Sequence, residues 1–117
     1  MSGIQIQRRA EAPTREEYGC EFRRILPWQR PGPSDTGMGV CTVAPGTATT
    51  PHSHADHEQF YVVRGSGTVQ VDGERAGIGP GDAIVVAGHQ VHHFENASAT
   101  EELELLSVWS LGPLGGE

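Results

Sequence analysis

Long apolar runs are missing from this 117-residue chain, and so is any cluster of basic residues. No segment approaches the roughly 18 apolar residues that mark a membrane span. The opening MSGIQIQRRAEAP lacks the apolar stretch of a signal peptide. Lys and Arg together number eight, scattered along the chain, against 15 Asp and Glu, for a net charge of -7. Phosphate neutralisation needs clustered cations, so neither nucleic acid nor a membrane surface is an expected partner. Cysteine is scarce: Cys20 and Cys41 form no CxxC pair. They are read as free, buried thiols in a reducing compartment, and a cytoplasmic location is expected.

Glycine and proline are plentiful. Sixteen glycines and eight prolines, with 36% hydrophobic residues, imply many turns and short strands rather than long helices. The length favours one domain with a core of its own. Ile4 and Ile6 alternate with Gln5 and Gln7, which permits a short edge strand. PTREEYG carries the only hint of helix and is set aside. EFRRIL, residues 21–26, reads as a strand with Phe22 and Leu26 as core contacts. PWQRPGPSDTG follows as a loop, a candidate lid over the site beyond it.

From Met38 onward the pattern is all β. MGVCTVA, QFYVVRG, GTVQVDG, VHHFEN and ELELLSVWSL read as strands, and GIGPGDAIVVAG as a turn followed by a buried strand. Asp72-Gly73 between apolar runs signals a two-residue hairpin. Strands at this spacing predict a sandwich or barrel. The expected organisation is edge strands and a loop over 1–37, a β-barrel over 38–111 and a flexible tail over 112–117, all in one domain.

The six histidines fall into two groups: His52, His54 and His57, then His89, His92 and His93. On a strand, residues two apart share a face, so His52 and His54 point together and Glu58 can join them. His57 points away. In the second group His92, Phe94 and Asn96 share one face, and His93 takes the other. Three imidazoles and a carboxylate make a mixed nitrogen and oxygen site suited to Zn, Fe, Mn, Ni or Co rather than Ca. On an octahedral ion such a set leaves about two positions for water or substrate.

GTATTPHSHADHEQFYVVRG resembles the first motif of the cupin superfamily, G-x5-H-x-H-x3-E-x6-G, through Gly46, His52, His54, Glu58 and Gly65. GDAIVVAGHQVHHFEN is similar to the second, G-x5-P-x-G-x2-H-x3-N, through Gly81, His92 and Asn96. Two positions depart from it: Ala87 replaces the usual proline and His89 the usual glycine. The resemblance implies an all-β, double-stranded β-helix (jelly-roll) barrel. It also implies one divalent metal ion held by His52, His54, Glu58 and His92, with zinc the first expectation and Fe, Mn, Ni or Co the alternatives.

His89 is either a rim residue or a pocket acid/base, and it is the one candidate catalytic residue. Phe60, Val62, Val85 and Phe94 are assigned to core or pocket lining, and Tyr61 to the opposite face. Trp28 and Trp109 are assigned to packing, with closure of the barrel mouth or a dimer contact as alternatives. Cupins include isomerases, decarboxylases, dioxygenases, lyases and pure binding proteins, so fold alone does not fix function. The expected function is metal-centred chemistry on a small polar metabolite. PHSHADHEQFYVVRGSGTVQVDGE with the late LLSVW further resembles zinc cupins that work with methionyl-tRNA-synthetase-like partners to form N–N bonds; here that partner would be a separate protein. A non-catalytic metal or ligand-binding module is the third reading. Such short cupins imply a homodimer, with Ile4–Gln7 and Leu103–Trp109 as the available edge strands.

Overall fold

The computed structural model describes residues 3–111. Among the described residues nine strands run in chain order: β1 Arg15–Glu17, β2 Cys20–Leu26, β3 Thr36–Val43, β4 His57–Arg64, β5 Gly67–Val71, β6 Glu74–Ile78, β7 Ala83–Val86, β8 His92–Glu95 and β9 Leu103–Ser110. A single 3-10 turn, Arg9–Glu11, is the only helix among the described residues. Six strands form one sheet in the order β1-β2-β3-β9-β4-β7, and three form another in the order β6-β5-β8. All pairings are antiparallel. Together the sheets make a jelly-roll barrel, the architecture that the resemblance implies.

Strand alternation sorts the large sheet. The register aligns Phe22, Cys41, Leu105 and Val62 in one row across β2, β3, β9 and β4. The next row holds Arg24, Gly39, Ser107 and Phe60. Residues in register share a face, so both rows look inward. Val43, Val62, Val86, Leu103 and Leu105 are fully buried at the centre. Phe94 meets Phe60 edge to face across the two sheets, with ring centroids 4.8 Å apart. On β3 the inward positions next to large aromatics are glycines. A Cβ on Gly37 would overlap the Trp109 indole, and one on Gly39 the Phe22 ring.

The Asp72-Gly73 hairpin forms as expected. Both residues have positive φ, 47° and 87°, and Val71 pairs with Glu74 across the turn. The proline-rich loop also lies where expected, between β2 and β3.

Other expectations need correction. Residues 4–7 form no strand. Ile4 and Ile6 remain exposed, and two apolar residues that cover no core face do not fix a register. PTREEYG instead contributes β1 and its turn. Leu26 is exposed, because a register irregularity between Arg24 and Leu26 takes it off the inward row. Val85 is 56% exposed: β7 alternates at the sheet edge rather than running buried. The stretch Leu103–Trp109 is no edge. Paired on both sides, by β3 and β4, it is a central strand, and its near-continuous burial explains its unbroken apolar run. The expected tail lies outside the described residues. No described helix is long and apolar enough to cross a membrane.

Candidate metal centre

His52 and His54 lie in no regular strand. The backbone of His52 forms reciprocal hydrogen bonds with that of His92, at 3.2 and 3.0 Å. The amide of His89 donates to the carbonyl of His54 at 2.6 Å. Cross-bonding to the second histidine segment, rather than strand alternation, therefore aims these two side chains. Glu58 comes from β4 in the large sheet and His92 from β8 in the small one. One ligand atom from each of His52, His54, Glu58 and His92 lies within 4.8 Å of all the others.

Each of the three imidazoles is braced in the same way. Nδ1 of His52 meets the Thr50 carbonyl at 2.8 Å, that of His54 the Asp56 carbonyl at 3.0 Å, and that of His92 the Gln90 carbonyl at 2.9 Å. A carbonyl only accepts, so Nδ1 carries the proton in the neutral ring and Nε2 keeps its lone pair. This is the support that metal-binding histidines require. Nε2 of His92 is buried and makes no hydrogen bond; Glu58 Oε1, 3.4 Å away, is too far for one. Nε2 of His54 approaches the same Oε1 at 2.5 Å. With Nδ1 as the donor, both facing atoms present lone pairs, so this approach requires a positive charge between them, a proton or a metal ion.

The carboxylate is held ionised. Burial pushes its pKa up, but His92, the Ser107 hydroxyl and the charge of His54 outweigh burial and bring it below the usual glutamate value. Ser107 donates to Glu58 Oε2 at 2.6 Å. Burial, with help from the neighbouring histidines, lowers the pKa of His52 and favours its neutral, ligating form. For His92, burial acts downward, but Glu58 and the Gln90 carbonyl raise the pKa overall. Nitrogen and carboxylate donors in this number fit a divalent transition ion.

The cluster lines a cavity of about 580 Å³. Phe22, Phe60, Phe94 and Trp109 supply much of its apolar wall, while Arg24 of β2 and Ser34 of the β2–β3 loop add polar groups. Cys20 and Cys41 are free and buried on the same wall. The hydrogen bond to Cys20, with burial, pushes the Cys41 thiol well up.

The other histidines lie elsewhere. His57 Nδ1 accepts from the Gly88 amide at 2.8 Å, and His93 Nε2 meets Glu95 Oε2 at 2.9 Å. His89 is exposed, and it is not among the residues that line the cavity. Its φ is +68°, so it takes up the left-handed conformation for which the motif uses glycine. Trp109 lines the cavity and donates from Nε1 to the Ser34 carbonyl at 3.2 Å; Trp28 lines a neighbouring hollow.

Three site residues escaped the sequence reading. Tyr18 has a φ of 51° in the tight β1–β2 turn and stacks on His52, with centroids 3.8 Å apart and planes 3° from parallel. A non-glycine residue in that conformation often marks a site. Ser107 and Arg24 are the others. The alternation of Arg24 with Phe22, and of Ser107 with Leu105, was the only available signal.

The chain matches the Cupin domain family over residues 39–109. It is 38% identical over 80 residues to the pectin degradation protein KdgF of Dickeya dadantii, covering 66% of this chain and 68% of that one. It is 26% identical over 113 residues to the tetracenomycin polyketide synthase protein TcmJ of Streptomyces glaucescens, covering 96% and 75%. A Cupin 2 conserved barrel domain protein from Salinispora arenicola superposes with a TM-score of 0.79 at 23% identity, over 93% of this chain and 90% of that one. On its motifs, its barrel and this match, the chain belongs to the cupin family.

Proposed function

We propose that this chain is a metal-dependent enzyme acting on a small polar metabolite. The observation that carries the reading is the bracing of three imidazoles by backbone carbonyls, which leaves their Nε2 atoms gathered with Glu58 on the wall of a cavity. His52, His54, Glu58 and His92 would hold one divalent ion, zinc in the first instance, with Fe, Mn, Ni or Co as alternatives. Such an ion supplies Lewis acidity to a substrate oxygen, or redox chemistry if it is iron.

The protein's own groups prepare that place. Ser107 fixes the orientation of Glu58, and Tyr18 covers one face of His52. Phe60 lies beside His92 and packs in turn on Phe94, which makes that side apolar. Similarity to proteins named for pectin degradation and for tetracenomycin polyketide synthesis supports small-molecule chemistry over a purely structural barrel. A narrower reading adds a separate synthetase-like protein and N–N bond formation. Its support is the run PHSHADHEQFYVVRGSGTVQVDGE with the late LLSVW, and co-purification with such a partner tests it.

Protein purified without added metal, divided into loaded and chelated samples and offered a panel of small hydroxy and keto acids, tests the main reading. Mass spectrometry should show conversion in the loaded sample alone. Conversion that survives chelation contradicts it, and bound metal without any conversion favours a binding module.

A further inference from the structure

Arg24 sits on the inward row of β2, in register with Gly39, Ser107 and Phe60. Ser107 is the residue that holds Glu58. Two strand spacings separate the backbones of Arg24 and Ser107, roughly 10 Å. Arg24 therefore lies on the same sheet as Ser107 and Glu58 but well away from them.

Its guanidinium is half anchored. Nη1 donates to the Gly32 carbonyl at 2.5 Å. Nε and Nη2 are buried and have no hydrogen-bond partner among the described residues. These two N–H groups form one edge of the planar fork, the edge that matches the two oxygens of a carboxylate. Ser34 Oγ, on the loop that supplies Gly32, is also buried without a partner and lines the same cavity. Its backbone is pinned by the Trp109 indole. Of the cavity's three acids, Glu17 pairs with Arg15 at 3.0 Å, Glu58 belongs to the cluster and the Asp56 carbonyl braces His54; none of their carboxylates pairs with Arg24. A buried cation with an unpaired fork is costly unless an anion meets it.

We propose that Arg24 and Ser34 form a subsite for the carboxylate of the substrate, whose other end reaches the His52, His54, Glu58 and His92 cluster. The inference rests on the functional reading of that cluster and adds the substrate class: an organic acid with an apolar middle, spanned by Phe22 and Trp109. Phe22 and Arg24 also line the adjoining hollow of about 440 Å³, so the subsite stands where the two spaces meet.

The test uses 3-phenylpropionate and its neutral amide as probes. Binding is followed by calorimetry and by the Arg24 Nε–H resonance, in the wild type, R24Q and R24K, with metal content measured on the same samples. The acid should bind and shift that resonance, and the amide should not. R24Q and R24K should bind the acid roughly 10- to 100-fold more weakly, with unchanged metal content. Equal binding of acid and amide, or wild-type affinity in R24Q, overturns the subsite. If R24Q does not fold, the wild-type resonance and the acid–amide comparison decide alone. Arg24-dependent binding in protein that takes up no metal would leave the subsite standing and sink the metal reading. Metal-bearing protein that binds the acid independently of Arg24 would do the reverse.

Discussion

Nε2 of His92 lies 3.4 Å from Oε1 of Glu58, across the gap between the small sheet and the large one. The two residues are 34 positions apart in sequence, and only closure of the barrel brings them together. His92 is almost wholly buried, and its Nε2 is left without a hydrogen bond. An orphaned nitrogen beside a carboxylate held ionised calls for a cation to satisfy both.

Ser107 should matter to the ion without touching it. S107A removes the donor to Glu58 Oε2 and frees that carboxylate to turn. Metal affinity should fall about 10- to 100-fold, as for other lost partners of a ligating group. Competition with a chromophoric chelator measures this, and the circular dichroism spectrum should stay unchanged.

His89 should be dispensable for chemistry and mildly strained. H89G relieves a left-handed side chain at the position where the motif uses glycine. The net effect should be a gain of about 0–1 kcal/mol, the left-handed cost less the glycine's extra freedom when unfolded. Urea midpoints and metal content check this; a lost ion or lost turnover would restore His89 as a site residue.

Gly39 should tolerate no side chain. In G39A the new methyl overlaps the Phe22 ring, which must swing away from its place on the cavity wall. Overpacking of this kind costs about 1–3 kcal/mol. A lower urea midpoint with an unchanged slope is the expected result.

Acid should reveal the clamp on Glu95. Hydrogen bonds from Arg75, then His93, bring its pKa from the ordinary 4.5 to about 2. A depressed folded-state pKa stabilises above the unfolded value, and that contribution fades as pH falls from about 4.5 towards 2. E95Q should therefore melt below the wild type near neutrality, with the gap closing through that window. The carboxylate is about one-third exposed, at 34%, so added salt should shrink the difference. A gap that is constant with pH would rule the clamp out.

The sequence made the barrel legible because its signals were local. Asp72-Gly73 marks its hairpin by backbone conformation, and alternation places Phe60, Val62 and Phe94 inward. The two histidine motifs announced the cluster by spacing alone. What escaped depended on long-range pairing. Leu103–Trp109, expected as an available edge, is enclosed by β3 and β4, and its own residues carry no mark of those distant partners. His52 and His54 are aimed by backbone bonds to His92 and His89, far along the chain, which no strand rule describes. Tyr18 and Arg24 reach the cavity only because β1 and β2 fold across its wall.

Elemental analysis of the purified chain, beside H92A, tests the central claim most directly. The wild type should carry close to one transition-metal ion per chain, and H92A should fall to background while keeping its β-rich spectrum. A wild type that binds no divalent ion even when supplied with excess, or an H92A protein that holds as much as the wild type, would contradict the account.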